Sequence, residues 1–172
     1  MPLKDDTAPK DDRAKDNPGV IAPPPLIGLA VIVGGLLLDR LLPAYVLTVL
    51  LGLEDRLVIG ALMLFAGSAL AISALGAFRA ARTHPEPWKP SRALVTRGIF
   101  RWLRNPMYVG GVLILAGLSI ALASDWMLVL TIGSALLIHY GVVLREERYL
   151  TARFGAAYTA SRDAVPRYGW PF

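Results

Sequence analysis

Residues 57–78 read LVIGALMLFAGSALAISALGAF, an apolar run without a charged side chain. A helix needs about 20 mostly apolar residues to cross the hydrocarbon core of a bilayer, so this run is long enough to span it. Similar runs occupy residues 25–42, 106–123 and 126–144. Backbone polar groups in lipid must be hydrogen-bonded within the protein, and a helix achieves this alone. The sequence therefore predicts an all-α, polytopic membrane bundle of four transmembrane helices.

The composition agrees with a membrane protein and excludes several kinds of chemistry. Of the 172 residues, 55% are apolar and 18% charged, against about 45–50% and about 25% in soluble domains. The absence of cysteine excludes disulfides and iron–sulfur clusters. The two histidines, His84 and His139, lie far apart in the sequence, so we expect no metal site. His139 falls within the fourth run, where we interpret it as a packed bundle residue rather than a catalyst.

Basic residues are distributed unevenly around the four runs. The chain has 18 Lys and Arg. Sixteen of them lie in the N-terminal tail, between the second and third runs, or after the fourth run; the other two are Arg40 and Arg56. Because such residues concentrate on the cytoplasmic side, we expect both termini in the cytosol. The compact architecture and the asparagine at position 105 favour a bacterial inner membrane. The net charge of +5 then reflects topology and contact with the lipid bilayer, and no nucleic-acid partner is expected.

Three polar segments lie on this predicted cytosolic side. Residues 1–22 are rich in Asp, Lys and Pro and are predicted to form a disordered tail, which leaves residues 23–172 as the membrane-embedded domain. Prolines in the loop of residues 83–104 prevent a continuous helix there. After the fourth run, a helical stripe predicts a cytosolic amphipathic helix; its apolar members are Val143, Leu150, Phe154, Ala157 and Tyr158. Gly155 within it indicates either a break or a site of close approach by another segment.

The sequence LVTRGIFRWLRNPMYVGG, residues 94–111, places three arginines and two aromatic residues just before the third run. Asn105 suits an N-cap, and Pro106 suits the first position of a helix. A helix N-terminus exposes N–H groups that favour an anion such as a carboxylate. This stretch therefore predicts a helix start and an anion-binding position together.

Glu146 and Glu147 follow the fourth run directly. At about 100° per residue they flank the apolar stripe on opposite sides, so at least one should point towards whatever the stripe packs against. The alternative is that both are solvated and pair with Arg148 or Arg153. The spacing alone leaves both interpretations open.

Together these motifs resemble the isoprenylcysteine carboxyl methyltransferase and phospholipid N-methyltransferase superfamily of integral membrane enzymes. The pattern is L-V-T-x-G-x-Y/F-x-x-x-R-H/N-P-x-Y-x-G, then E-E-x-x-L-x-x-x-F-G-x-x-Y, then V-P-R. It is matched here by residues 94–110, 146–158 and 165–167, in the same order and after the expected apolar runs. The resemblance implies that the cofactor-binding part covers about residues 85–168.

The resemblance implies S-adenosylmethionine as methyl donor and a lipophilic acceptor. It implies catalytic roles for three residues, Arg104, Asn105 and Tyr108. The cofactor contacts that it implies are Arg92, Ala93, Leu94, Val95, Phe100, Asn105, Pro106, Met107, Tyr108, Glu146 and Glu147. Arg145 is the implied substrate-binding residue, because it lies near Val142, which aligns with the substrate arginine of the prenylcysteine enzymes. Which of the two glutamates contacts the cofactor stays open.

The expected function is an isoprenylcysteine carboxyl methyltransferase-like enzyme that methylates a carboxylate or thiol-like group on a small lipophile. Phosphatidylethanolamine or another phospholipid amine is the alternative acceptor. A non-catalytic membrane scaffold or sensor that retains the fold is the alternative from a different class. A transporter or channel is not favoured, because no apolar run carries regularly spaced charges. The sequence leaves the oligomeric state open.

Overall fold

The computed structural model describes residues 18–169, and within this range the chain consists of helices and loops without a strand. Its helices are α1 Pro24–Leu41, α2 Val46–Leu50, α3 Leu53–Ala80, α4 Pro106–Ala121, α5 Asp125–Ile138, α6 Leu144–Phe154 and α7 Ala156–Ala164. A 3₁₀ turn, Gly98–Arg101, precedes α4, and a π-helical segment, His139–Val143, joins α5 to α6. The predicted all-α fold is confirmed.

Three helices are long and apolar enough to cross a bilayer. They are α1, α3 and the continuous helix Asp125–Phe154, which comprises α5, the π-helical segment and α6. The run predicted as the third span forms α4, whose 16 residues rise about 24 Å, less than a hydrocarbon core of ~30 Å. By length and composition, three of the four predicted spans are therefore membrane-crossing candidates, and α4 is a shorter apolar helix packed among them.

Helices α3 and α4 pack antiparallel through pairs of glycines. A Cβ atom added to Gly67 would lie 2.6 Å from the carbonyl oxygen of Gly110, and one added to Gly60 would lie 2.8 Å from that of Gly117. Because no side chain fits in these gaps, glycine is what allows the two backbones to approach so closely. The pairs hold α4 against α3 along most of its length.

Helix α1 is fixed to α5 at the end of the bundle remote from the start of α4. The carboxylate of Asp39 accepts a hydrogen bond from the backbone N–H of Trp126 at 3.2 Å. The carboxylate of Asp125 accepts from the backbone N–H groups of Val46 and Leu47 at 3.0 and 2.9 Å. These bonds satisfy helix-start donors that have no partner within their own helix. The opposite end of α1 is left to border the cavity described below.

The end of the predicted N-terminal tail packs on the long helix. The backbone N–H of Ile21 donates to the carbonyl oxygen of Gly141 at 3.3 Å, and the Ile21 side chain covers that glycine. The folded part therefore includes residues 18–22, because Gly141 leaves room for an apolar side chain there. The rest of the predicted tail, residues 1–17, lies outside the described residues.

The amphipathic segment after the fourth run forms two helices. α6 continues the long helix without interruption, and Gly155 separates it from α7 with a φ of 53°, which side-chain-bearing residues rarely adopt. Of the two interpretations of Gly155, the break is thus confirmed. Beyond α7 the chain returns to the start of α4, where the backbone N–H of Arg104 donates to the carbonyl oxygen of Pro166 at 3.0 Å.

Candidate active site

The turn formed by Arg104, Asn105 and Pro106 connects the 3₁₀ turn to α4. Pro106 is the first residue of the helix, as predicted, but the Asn105 side chain does not cap it. Its Nδ2 atom instead donates to the carbonyl oxygen of Arg167 at 3.2 Å. Asn105 thus occupies the predicted N-cap position, but its side chain makes no capping hydrogen bond, because the returning C-terminal segment offers this buried amide an acceptor.

Glu147 joins this turn to the C-terminal segment. Its two oxygens accept from Nε and Nη2 of Arg167 at 2.8 and 2.7 Å, and Arg104 Nη1 lies 2.9 Å from Oε1. This hydrogen bonding raises the pKa of Arg167, while burial raises the pKa of the neighbouring Tyr158 phenol. Glu147 is 12% exposed, so these charge-assisted bonds are largely sheltered from water. Its carboxylate is fully engaged in holding the site together.

Glu146 points towards the two cavities described below and makes fewer hydrogen bonds than Glu147. Its Oε2 atom accepts a hydrogen bond from the Tyr108 hydroxyl at 2.7 Å. The interpretation that both glutamates are solvated and pair with Arg148 or Arg153 was wrong, because Glu147 pairs with Arg104 and Arg167, and Glu146 lines the cavities described next.

An apolar cavity of about 520 Å³ lies between α1, α4 and the loop before the 3₁₀ turn. Its walls are mostly aliphatic and aromatic, as in sites for lipophilic ligands. The contributing residues of α1 and α4 include Pro24, Pro25, Gly28, Leu29, Ile32, Met107, Tyr108, Gly111, Ile114 and Leu115. We call this space the apolar cavity.

A second cavity of about 70 Å³ lies between the loop, α6 and α7. Polar side chains contribute much of its wall, and we call it the polar cavity. Among its lining residues are His84, Ser91, Ala93, Leu94, Val95, Glu147, Leu150, Tyr158 and Ser161. The loop is held in place by Thr83, whose Oγ1 atom accepts from the backbone N–H groups of Arg92 and Ala93 at 3.0 and 3.3 Å.

The two cavities share one wall. The residues that line both are Phe78, Pro85, Glu86, Pro87, Phe100, Arg104, Asn105 and Glu146. In the described part of the chain, two buried atoms of this wall lack a hydrogen-bond partner, Arg104 Nε and Glu86 Oε2. Buried polar groups without partners are costly, so a donor and an acceptor here suit a ligand that carries both charges.

A family model described as phospholipid methyltransferase matches residues 55–157, more than half of the chain. The chain belongs to the phospholipid methyltransferase family. The matched range includes α3, the loop, α4 and α6, which form most of the shared wall. The predicted superfamily is thereby confirmed, and membership implies a membrane methyltransferase. No curated protein and no solved structure matches the chain.

The structure brings most of the predicted site residues of this family member together. The predicted residues that line one or both cavities are Ala93, Leu94, Val95, Phe100, Arg104, Asn105, Pro106, Met107, Tyr108, Glu146 and Glu147. Arg92 lines neither cavity. Arg145, the predicted substrate-binding residue, lines neither cavity and donates from Nη1 to the carbonyl oxygen of Gly19 at 2.8 Å. Arg145 is thus bound to the N-terminal segment and not to the shared wall.

Several residues of the shared wall and of its supports were not predicted. Phe78 ends the apolar face of α3 and stacks edge-on against Phe100, with ring centroids 5.2 Å apart. Glu86 stands between two prolines in the loop, and an acidic residue in such a rigid context was an available signal. Arg167 belongs to the V-P-R motif, but its pairing with Glu147 joins positions 20 apart and has no local sequence signature.

Proposed function

We propose that the protein is an S-adenosylmethionine-dependent methyltransferase that modifies a lipophilic acceptor taken from the membrane. One observation carries the proposal: a polar cavity and an apolar cavity meet at a wall built from Arg104, Asn105 and Glu146. A polar donor and an apolar acceptor can approach each other across such a wall. We further propose that this wall faces the cytosol, because 16 of the 18 basic residues lie on that side of the predicted topology. The compact architecture and the asparagine at position 105 support a bacterial inner membrane as the location.

The residues of the shared wall fit the methyl donor. S-adenosylmethionine carries a carboxylate and an ammonium, and Arg104 Nε and the Glu146 carboxylate match these charges. Leu94, Val95 and Phe100 offer apolar surface for adenine. The polar cavity alone is too small for a nucleoside, so the loop that lines it moves outward when the donor binds.

When bound, this donor supplies a methyl group on a sulfonium. The protein itself aligns the donor with the acceptor and excludes water, because in-line displacement depends on both. The Arg104–Glu147–Arg167 ion pairs fix the turn before α4, and the Tyr108 hydroxyl fixes the Glu146 carboxylate at 2.7 Å. The ion pairs and this hydrogen bond together restrain the shared wall, beside which the reaction takes place.

The apolar cavity suits an acceptor that enters from the lipid. It is bordered by α1 and α4, and α1 exposes leucine and valine side chains along its outer face. Exposed apolar helix faces of this kind suit a bilayer. An acceptor chain can therefore move laterally into the cavity while its head group stays at the shared wall.

An isoprenylcysteine carboxyl methyltransferase-like acceptor with a carboxylate or thiol is the first candidate. Arg104 also borders the apolar cavity, and its positive charge there favours an acceptor that carries a carboxylate. A carboxylate is already ionised at neutral pH, so this reaction needs no general base.

A phospholipid amine is the second candidate, and a different observation favours it. Glu86 and Glu146 place two carboxylates on the shared wall, where they attract an ammonium head group. An amine must lose its proton before methylation, and the Glu146 carboxylate is placed to accept it. The name of the matched family describes this chemistry as well.

Calorimetry with S-adenosylmethionine on the purified protein tests the proposal. The wild-type protein should bind the donor, and Glu146→Gln should abolish binding while leaving an extractable, folded protein. Glu54→Gln, at the far end of α3, is the matched control and should bind normally. Unchanged affinity in Glu146→Gln would count against this site, and a wild-type protein that does not bind would favour a scaffold.

The acceptor is identified by incubating the protein with methyl-labelled donor and host lipids. A methyl ester releases labelled methanol in mild base, whereas an N-methyl group does not. Base-labile label would therefore support the carboxylate candidate, and base-stable label in an aminolipid would support the phospholipid.

A further inference from the structure

Glu86 occupies a rigid position at the shared wall. It stands between Pro85 and Pro87, and its carbonyl oxygen accepts from the backbone N–H of Lys89 at 3.1 Å, which closes a turn. The prolines fix the backbone on both sides, so the direction of the Glu86 side chain is set by the fold. That side chain lines both cavities.

The two carboxylate oxygens of Glu86 have different surroundings. Oε1 accepts from Lys89 Nζ at 2.7 Å, and this bond lowers the pKa of Glu86, so the side chain is ionised at neutral pH. Oε2 is shielded from solvent, and no donor within residues 18–169 is in hydrogen-bond range; His84 Nδ1 lies 3.9 Å away. Partly exposed ion pairs such as Glu86–Lys89 contribute little to stability. Anchoring of the turn by this pair therefore does not explain why the second oxygen, Oε2, is shielded from water.

The cations near this oxygen are already engaged. Lys89 binds the other oxygen of Glu86, and Arg104 is held by Glu147 at 2.9 Å. The Glu146 carboxylate on the same wall is bonded by the neutral Tyr108 hydroxyl. The Oε2 atom of Glu86 therefore lies where the two cavities meet without a hydrogen-bond donor among the described residues, and a charged donor from a ligand would satisfy this buried oxygen.

We propose that Glu86 is a ligand-binding residue whose Oε2 atom accepts a hydrogen bond from an ammonium group bound at the shared wall. This assignment rests on the proposed function. The ammonium has two possible sources, the amino-acid end of S-adenosylmethionine and the head group of an aminolipid acceptor. Glu86 selects for ligands that carry this group.

Binding measurements on Glu86→Gln separate the two sources. Glutamine keeps the size of the side chain and removes its charge. If the ammonium belongs to the donor, Glu86→Gln should bind S-adenosylmethionine about tenfold or more weakly, as expected for a lost bond to a charged group, and should bind 5′-methylthioadenosine, which lacks the amino-acid end, normally. If it belongs to the acceptor, both nucleosides should bind normally, and short-chain phosphatidylethanolamine in detergent should bind about tenfold more weakly while short-chain phosphatidylglycerol does not.

Lys89→Met is the matched control, because it breaks the same ion pair but leaves the carboxylate in place. It should retain affinity for the ligand that Glu86→Gln loses. Equal losses in both variants would show that the turn, and not the charge, matters, and would overturn the assignment. Normal binding of all four probes by Glu86→Gln would overturn it too. If the wild-type protein fails to bind S-adenosylmethionine, the proposed function is contradicted, and the phospholipid comparison then decides the role of Glu86.

Discussion

Filling the apolar cavity at Gly111 should block the acceptor and spare the donor. Gly111 faces this cavity from the second turn of α4, and a Cβ atom added there would meet nothing within 4 Å. Leucine at this position therefore enters open space without displacing backbone. Helix propensity favours leucine over glycine by roughly 1 kcal/mol, so we expect Gly111→Leu to fold.

The size of the effect follows from the room that the substitution takes. The acceptor comes from the bilayer rather than from water, so the hydrophobic effect contributes little to its transfer. What Gly111→Leu removes is space for about four carbon atoms in a cavity of about 520 Å³. Forcing extra carbons into a filled apolar site costs typically about 1–3 kcal/mol. We therefore expect kcat/KM for the acceptor to fall about 5- to 150-fold.

The measurement is transfer of labelled methyl from S-adenosylmethionine to host lipids in proteoliposomes, beside calorimetric donor binding. Gly111 lines the apolar cavity and not the polar one, so donor affinity should stay within about twofold of the wild-type value. Gly133→Leu is the control, because Gly133 of α5 has equally open surroundings and lines neither cavity. Equal activity of the two variants would refute the acceptor cavity, and selective loss of donor binding in Gly111→Leu would reassign it to the donor.

Two further predictions concern the supports of the site. Glu147→Gln should lower the free energy of unfolding in detergent by about 2 kcal/mol, less than the 3–5 kcal/mol of a fully buried pair because Arg167 stays 33% exposed; an unchanged melting temperature would contradict the role given to these ion pairs. Gly67→Leu should prevent folding, since its Cβ would lie 2.6 Å from a carbonyl oxygen of α4, whereas Gly76→Leu has open space and should be tolerated. Yields of monodisperse protein after extraction compare the two, and similar yields would refute the close contact between α3 and α4.

The helices were predictable because each depends on local composition. Apolar runs marked the long helices, Pro106 marked the start of α4, and Gly155 marked the end of α6. The fourth apolar run ends at residue 144, whereas the helix continues through it to Phe154. The change from apolar to polar sequence there marks a change of surroundings rather than an end of hydrogen bonding along the helix.

The sequence predicted which residues form the site, but not which residues they bind to. The motifs identified Glu146, Glu147 and the turn before α4, yet the sequence did not distinguish the roles of the two glutamates. That distinction depends on Arg167, which reaches Glu147 only because α7 and the following segment return to the turn. Contacts between distant positions of this kind leave no periodic pattern in a single sequence.

Arg145 is the predicted substrate-binding residue because it lies near Val142 in the sequence, and the geometry of the helix explains why it lines neither cavity. Residues His139–Val143 are π-helical, which places one extra residue in the turn before the glutamates. Each residue of an α-helix turns by about 100°, so everything after this segment is displaced by one position around the axis. In an uninterrupted helix, Arg145 would face the direction that Glu146 now takes. The π-helical segment thus replaces a cation with a carboxylate at the shared wall, and it leaves Arg145 to bind the carbonyl oxygen of Gly19.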